Sequence, residues 1–135
     1  MRHLPWIVAV ALLFGTVSTL ARDTRAQADR LIGTWAGTFD GESSGHFGMA
    51  ISRDTSKNLT GSIDVAPEMG DGYTANFTSI EVDGDAVTLS YATGDGDTVK
   101  LEGTLDGTTI KGSWNVFEQG TTTSVLSGDF TTTRR

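Results

Sequence analysis

The chain contains no cysteine. That excludes a disulfide framework and all thiol chemistry, so the fold has to stand on its hydrophobic core. Histidine is nearly as scarce: of two in 135 residues, His3 lies at the start and His46 is the only one beyond residue 28. A metal site with two imidazoles, or a serine triad with its own base, would need residues from a partner. Basic residues are outnumbered, 10 against 17 acids. No stretch carries the apolar stripe of an amphipathic helix, and the long apolar run from Ile7 to Ala21 is shorter than the ~20 residues that span a bilayer.

That run defines the first segment. Arg2 and His3 precede it, Gly15, Thr16, Ser18 and Thr19 interrupt it, and Ala26-Gln27-Ala28 supplies a small-x-small cleavage pattern, with Thr19-Leu20-Ala21 as a second. Residues 1–28 are therefore expected to be an export signal peptide. With no cysteine near either cut to carry a lipid, the mature chain is expected to be a soluble exported protein, periplasmic or extracellular, with no membrane insertion after cleavage. Residues 29–135 form the single expected domain. Setting aside Asp23 among the acids and Arg2, Arg22 and Arg25 among the bases leaves 16 against 7, a net charge of −9. Such an excess argues against nucleic acid and anionic membranes as partners, since both select basic surfaces.

What the chain does have is alternation. Apolar and polar residues exchange at period two from about residue 31 to 131, and breaks rich in Asp, Gly and Asn recur every 8 to 15 residues. The pattern predicts an all-β domain with strands over 31–39, 46–53, 59–66, 74–82, 86–92, 98–105, 108–116 and 122–131. Strand 74–82 breaks phase, because Ala75 and Phe77 do not alternate in step with Ile80 and Val82; a bulge near Ser79 restores it. Short connections make each strand the neighbour of the next. An eight-stranded antiparallel up-and-down β-barrel follows, since closure removes two exposed edges; a β-sandwich is the alternative.

Five segments repeat a glycine between two large apolar residues: LIGTW, LTGSI, LEGTL, IKGSW and LSGDF. The glycine lies two positions from both, so all three point inward. With Asp106-Gly107 as the centre of a two-residue turn, Gly103 would face Ile110 and Leu101 would face Gly112. Small opposite large is how small barrels fill their taper.

The stretch GTWAGTF, then FGMAIS and LTGSIDV, resembles the first three strands of the calycin barrels. Gly33-Thr34-Trp35 matches the G-x-W of lipocalins and the G-T-W of avidins, and Leu59-Thr60-Gly61-Ser62 matches the later L-T-G-[ST] of avidins. With IKGSW further on, the domain also resembles a small barrel module of exported bacterial proteins, found alone or ahead of serine hydrolases. The resemblance implies a calycin-like fold, and departures limit what else it carries. Gly37 and Ile63 stand where avidins place residues against biotin, so biotin binding is not implied. The second lipocalin motif is missing, and Arg134 and Arg135 fall just past the expected last strand, which leaves that strand without the lipocalin arginine. Gly33, Trp35 and Gly37 match the G-x-W-x-G of nitrobindin-like haem barrels, but no late histidine follows. No cofactor and no metal are expected.

Candidate catalytic groups are few. His46 should face solvent at a strand start, Asp64, Glu102 and Asp129 should point outward, and Glu81 depends on the bulge. The acidic turns at 70–72, 83–85 and 94–97 lack the ligand spacing of an EF-hand and contain what tight turns select. The interior is richer. Inward aromatic and aliphatic residues beside volume-removing glycines either fill the barrel or leave room for one small ligand. The expected function is binding of a small apolar ligand at one mouth, without catalysis, by Trp35, Phe39, Met49, Tyr91 and Trp114. Two alternatives are a filled barrel that meets an exported protein partner through its acidic face or Thr131-Thr132-Thr133-Arg134-Arg135 end, and a cavity-shaped isomerase or cyclase.

Overall fold

The computed structural model describes residues 28–135, so the expected signal peptide lies outside the described residues but for Ala28. Eight strands follow in order: β1 (Gly33–Gly41), β2 (Gly45–Arg53), β3 (Leu59–Pro67), β4 (Tyr73–Asp83), β5 (Ala86–Ala92), β6 (Thr98–Asp106), β7 (Thr109–Phe117) and β8 (Ser124–Arg134). Each pairs antiparallel with the next, and β1 pairs with β8 from Trp35 opposite Arg134 to Gly41 opposite Gly128, which closes the barrel. Closure decides against the sandwich. Among the described residues no helix is long and apolar enough to cross a membrane.

The period-two pattern is the cause of this arrangement. Phe47, Met49 and Ile51 on β2, Ile63 and Val65 on β3, and Val99, Leu101 and Leu105 on β6 all turn inward and are buried, while Asp64, Glu102 and Asp129 on the same sheet are exposed. The expected bulge is present: Phe77 faces Tyr91 and Ser79 faces Ser90, so Thr78 is the extra residue. Its hydroxyl donates to the Ser90 carbonyl at 3.1 Å. Beyond it Ile80 and Val82 return to the interior side, and Glu81 stays exposed opposite Thr88.

One register differs from the sequence expectation. Asp106 pairs with Thr109, so Gly107-Thr108 is the turn centre, and Gly103 faces Gly112 while Leu101 faces Trp114 and Leu105 faces Ile110. Gly107 has φ 63°, whereas Thr108 is not among the positive-φ residues. A turn that needs positive φ only at its first central position places the glycine there. The consequence is a pair of backbones in close contact: a Cβ on Gly112 would overlap the Glu102 carbonyl and lie 2.5 Å from the Gly103 Cα. Small against large does occur, one strand over, where Gly112 faces Phe130 and Trp114 faces Gly128 across β7 and β8.

The two ends of the barrel differ. At one end the strands are joined by two-residue turns at 84–85 and 107–108 and by residues 54–58. There the chain before β1 makes a single helical turn, with the Leu31 amide donating to the Ala28 carbonyl at 3.1 Å. Leu31 is 0% exposed and plugs the interior, so it acts from this turn rather than from a strand. The Trp35 indole donates to the Leu31 carbonyl at 2.9 Å. Arg134 lies on β8 with its guanidinium 4.8 Å from the Trp35 ring centre, and it donates to the Ile32 and Arg30 carbonyls. The expectation that the last strand ends before an arginine is thus corrected: pairing with Trp35 on β1 extends β8 to Arg134. At the other end the connections 42–44, 68–72, 93–97 and 118–123 surround an opening.

Candidate functional site

A cavity of about 550 Å³ occupies the half of the barrel beneath the connections 42–44, 68–72, 93–97 and 118–123 and opens between them. Its existence follows from the packing just described. Trp35, Leu31, Met49, Ile51, Leu105 and Ile110 fill the plugged end, all nearly or wholly buried.

The wall of the cavity is aromatic and aliphatic. Phe39 from β1, Phe47 from β2, Tyr91 from β5 and Trp114 from β7 contribute, with Ile63 and Leu101 between them. Trp114 is held by its indole N–H, which donates to the Asp40 carbonyl across the β8 strand at 3.0 Å, and by Phe39, whose ring meets it edge-on at 6.0 Å and 86°. Phe47 touches both Phe39 and Phe130, at 6.4 and 6.1 Å between ring centres. Because the Trp114 donor is already bonded, this side of the wall offers ring surface rather than a hydrogen bond.

Besides the rim carboxylates Asp95 and Asp97, the wall carries a pair of phenols. The Tyr73 and Tyr91 hydroxyls lie 2.8 Å apart, and Phe77, also on β4, meets Tyr91 edge-on at 6.3 Å between ring centres. Tyr91 is 3% exposed. Burial, then the hydrogen bond and charge interaction with Tyr73, push its pKa far above the ordinary phenol value. Tyr91 is therefore neutral in any ordinary solution, and of the pair it is Tyr73, at the rim and partly exposed, that has a free edge toward the opening.

The structure divides the residues picked from the sequence. Phe39, Tyr91 and Trp114 meet in the cavity wall. Trp35 and Met49 are 0% and 3% exposed in the plugged end and line a different, shallower depression on the β1 to β3 side. Their period-two phase is the same as that of the wall residues, so phase alone could not separate them: Met49 stands directly opposite Ile63, which does line the cavity. Sequence reading missed Tyr73, Val65, Val116 and the rim residues Ser43, Thr93, Asp95 and Asp97. Connection length would not have identified the rim, since Ser43 comes from the three-residue connection 42–44 while the five residues 54–58 lie at the plugged end.

His46 is exposed on the outer side of β2, between Thr38 and Ala66. Among the described residues no three His, Cys, Asp or Glu side chains converge in a way that could hold a metal ion. No protein-family model and no curated protein matches this chain.

Proposed function

We propose that this chain is an exported calycin-like carrier that holds one small, largely apolar molecule in the open half of its barrel. The observation that carries the reading is the 550 Å³ cavity walled by Phe39, Phe47, Tyr91 and Trp114. Its size lies in the range of small-molecule pockets, and such sites are mostly apolar with a few placed polar groups. Here the Tyr73–Tyr91 pair and the rim carboxylates are the polar groups that would orient a ligand. Support for the calycin resemblance comes from Arg134 stacked over Trp35 of the G-T-W segment, and support for export comes from the leader pattern of residues 1–28.

The test is native mass spectrometry of the protein purified gently from its own exported fraction. A reproducible excess mass of a few hundred daltons, on the order expected for such a pocket and lost on denaturation, is the expected result. Bare protein, together with failure of apolar probes to quench Trp114, would overturn it. A second reading has its own observation: Met69, 90% exposed, and Val125 and Leu126 stand at the open end, where an exported protein partner would cover them. Cross-linking at those positions in the exported fraction separates the two.

A further inference from the structure

The four connections around the cavity mouth carry Glu42, Glu68, Asp71, Asp95, Asp97 and Glu118, and no lysine or arginine. The cations of the described chain are elsewhere. Arg30, Arg53, Lys57, Lys111, Arg134 and Arg135 lie at or near the plugged end, where Arg30 pairs with Asp85 and Arg53 with Asp29. Lys100, the cation nearest the mouth along its strand, faces outward and approaches Glu102 at 3.9 Å. His46 is also on the outer face. The described salt bridges therefore leave every mouth carboxylate without a cation.

Two of these carboxylates, Asp95 and Asp97, line the cavity itself, and no basic side chain does. Asp97 accepts from the Gln119 amide at 3.2 Å, which fixes it at the rim. Below them lie the ring faces and edges of Trp114, Phe39 and Tyr91. Carboxylates at a low-dielectric opening focus a negative potential into it, and aromatic faces attract a cation that has left bulk water. A neutral apolar molecule gains nothing from the first of these features, and an anion is repelled by it.

Building on the apolar-carrier reading, we infer that the molecule taken up by this cavity is a cation with an apolar body, a protonated or quaternary amine whose charged end rests among Asp95, Asp97 and the aromatic wall. The apolar portion fills the space toward Ile63 and Leu101. The charge end stays near the rim, where it remains partly hydrated.

The test compares three probes that share one decyl chain: decyltrimethylammonium, decanol and decyl sulfate, each kept below its micelle concentration. Binding is followed by tryptophan fluorescence and calorimetry on the intact mature protein. The ammonium is expected to bind at least about tenfold more tightly than decanol, and the sulfate more weakly than either. The preference should shrink between about 0.01 M and about 1 M salt, as the screening length falls from ~30 to ~3 Å. Asp95→Asn should weaken ammonium binding several-fold more than it changes decanol binding, whereas Asp106→Asn at the plugged end should alter neither. Equal binding of all three probes, or preference for the sulfate, overturns the inference while the carrier reading stands. Binding of none removes the carrier reading and this inference with it. The salt series needs no variant, so a misfolded Asp95→Asn protein would not shield the idea from refutation.

Discussion

Thr132 should be worse for the fold than valine. It lies on β8 between Gly37 and Ile110, is 0% exposed, and its hydroxyl has no hydrogen-bond partner among the described residues. A buried hydroxyl left unpaired costs roughly 1 to 3 kcal/mol of desolvation. Thr132→Val replaces it with a methyl of similar size, and both side chains are β-branched, so strand preference and rotamer freedom barely change. The expected gain is about 1 to 2 kcal/mol, the lower part of that range, because the unfolded chain hydrates the threonine. In a domain of this size each kcal/mol moves Tm by roughly 4 to 8 °C. Thermal and urea unfolding of wild type, Thr132→Val and Thr132→Ser would measure it. Serine keeps the hydroxyl and deletes a buried methyl, so it should lose stability by about 1 kcal/mol. The urea slope should be unchanged in both, since the surface exposed on unfolding is the same. If valine lowers Tm, the hydroxyl is satisfied in solution, for instance by a buried water, and the reasoning fails.

Three further outcomes follow from the structure. Gly112→Ala should cost more than about 3 kcal/mol or prevent folding, because overpacking a well-filled site costs 1 to 3 kcal/mol and here the added atom meets immobile backbone of β6; circular dichroism and urea unfolding would show it, and near-wild-type stability would refute the close approach. Arg134→Leu should destabilise by roughly 1 to 3 kcal/mol through loss of its bonds to two carbonyls and its stacking on Trp35, and Arg134→Lys should recover little, since an ammonium lacks the fork; full recovery by lysine in fluorescence-detected unfolding would show that charge alone matters. Stability should fall as pH rises above about 10 by up to about 1.4 kcal/mol per unit on account of Tyr91, because the folded state keeps its phenol proton where the unfolded chain loses it, and this contribution is complete below the unfolded pKa. In Tyr91→Phe the alkaline slope should be shallower; an unchanged slope would mean that Tyr91 ionises in the folded protein.

The strands were legible because the period-two signal is generated by the same burial that holds the barrel together, and even the Thr78 bulge showed as a phase error between Phe77 and Ile80. The β6–β7 register was not. An Asp-Gly pair marks a turn without saying which two residues stand at its centre, and a shift of one position moved Gly103 from Ile110 to Gly112. The reach of β8 was hidden too, since Thr132 and Thr133 carry no apolar alternation and Arg134 becomes a strand residue only through Trp35 on the opposite terminus. For the site, inward direction could be read for Phe39, Tyr91 and Trp114, but depth could not. Whether inward residues meet as a plug or leave space depends on how eight strands share volume, and on Leu31 entering from outside the strand pattern.

Seven of the eight strand pairings join neighbours in the chain; the pairing of β1 with β8 joins its two ends, and the Arg134 bond to the Ile32 carbonyl spans 102 positions. Hairpins form around their own turns, whereas a non-local pairing waits for chain ends to meet and slows folding. Until it forms, any partly built sheet has two bare edges, and each can recruit a strand from another molecule. The last strand thus removes both liabilities in one step. What completes the interior of one molecule is also what stops it from continuing the sheet of the next.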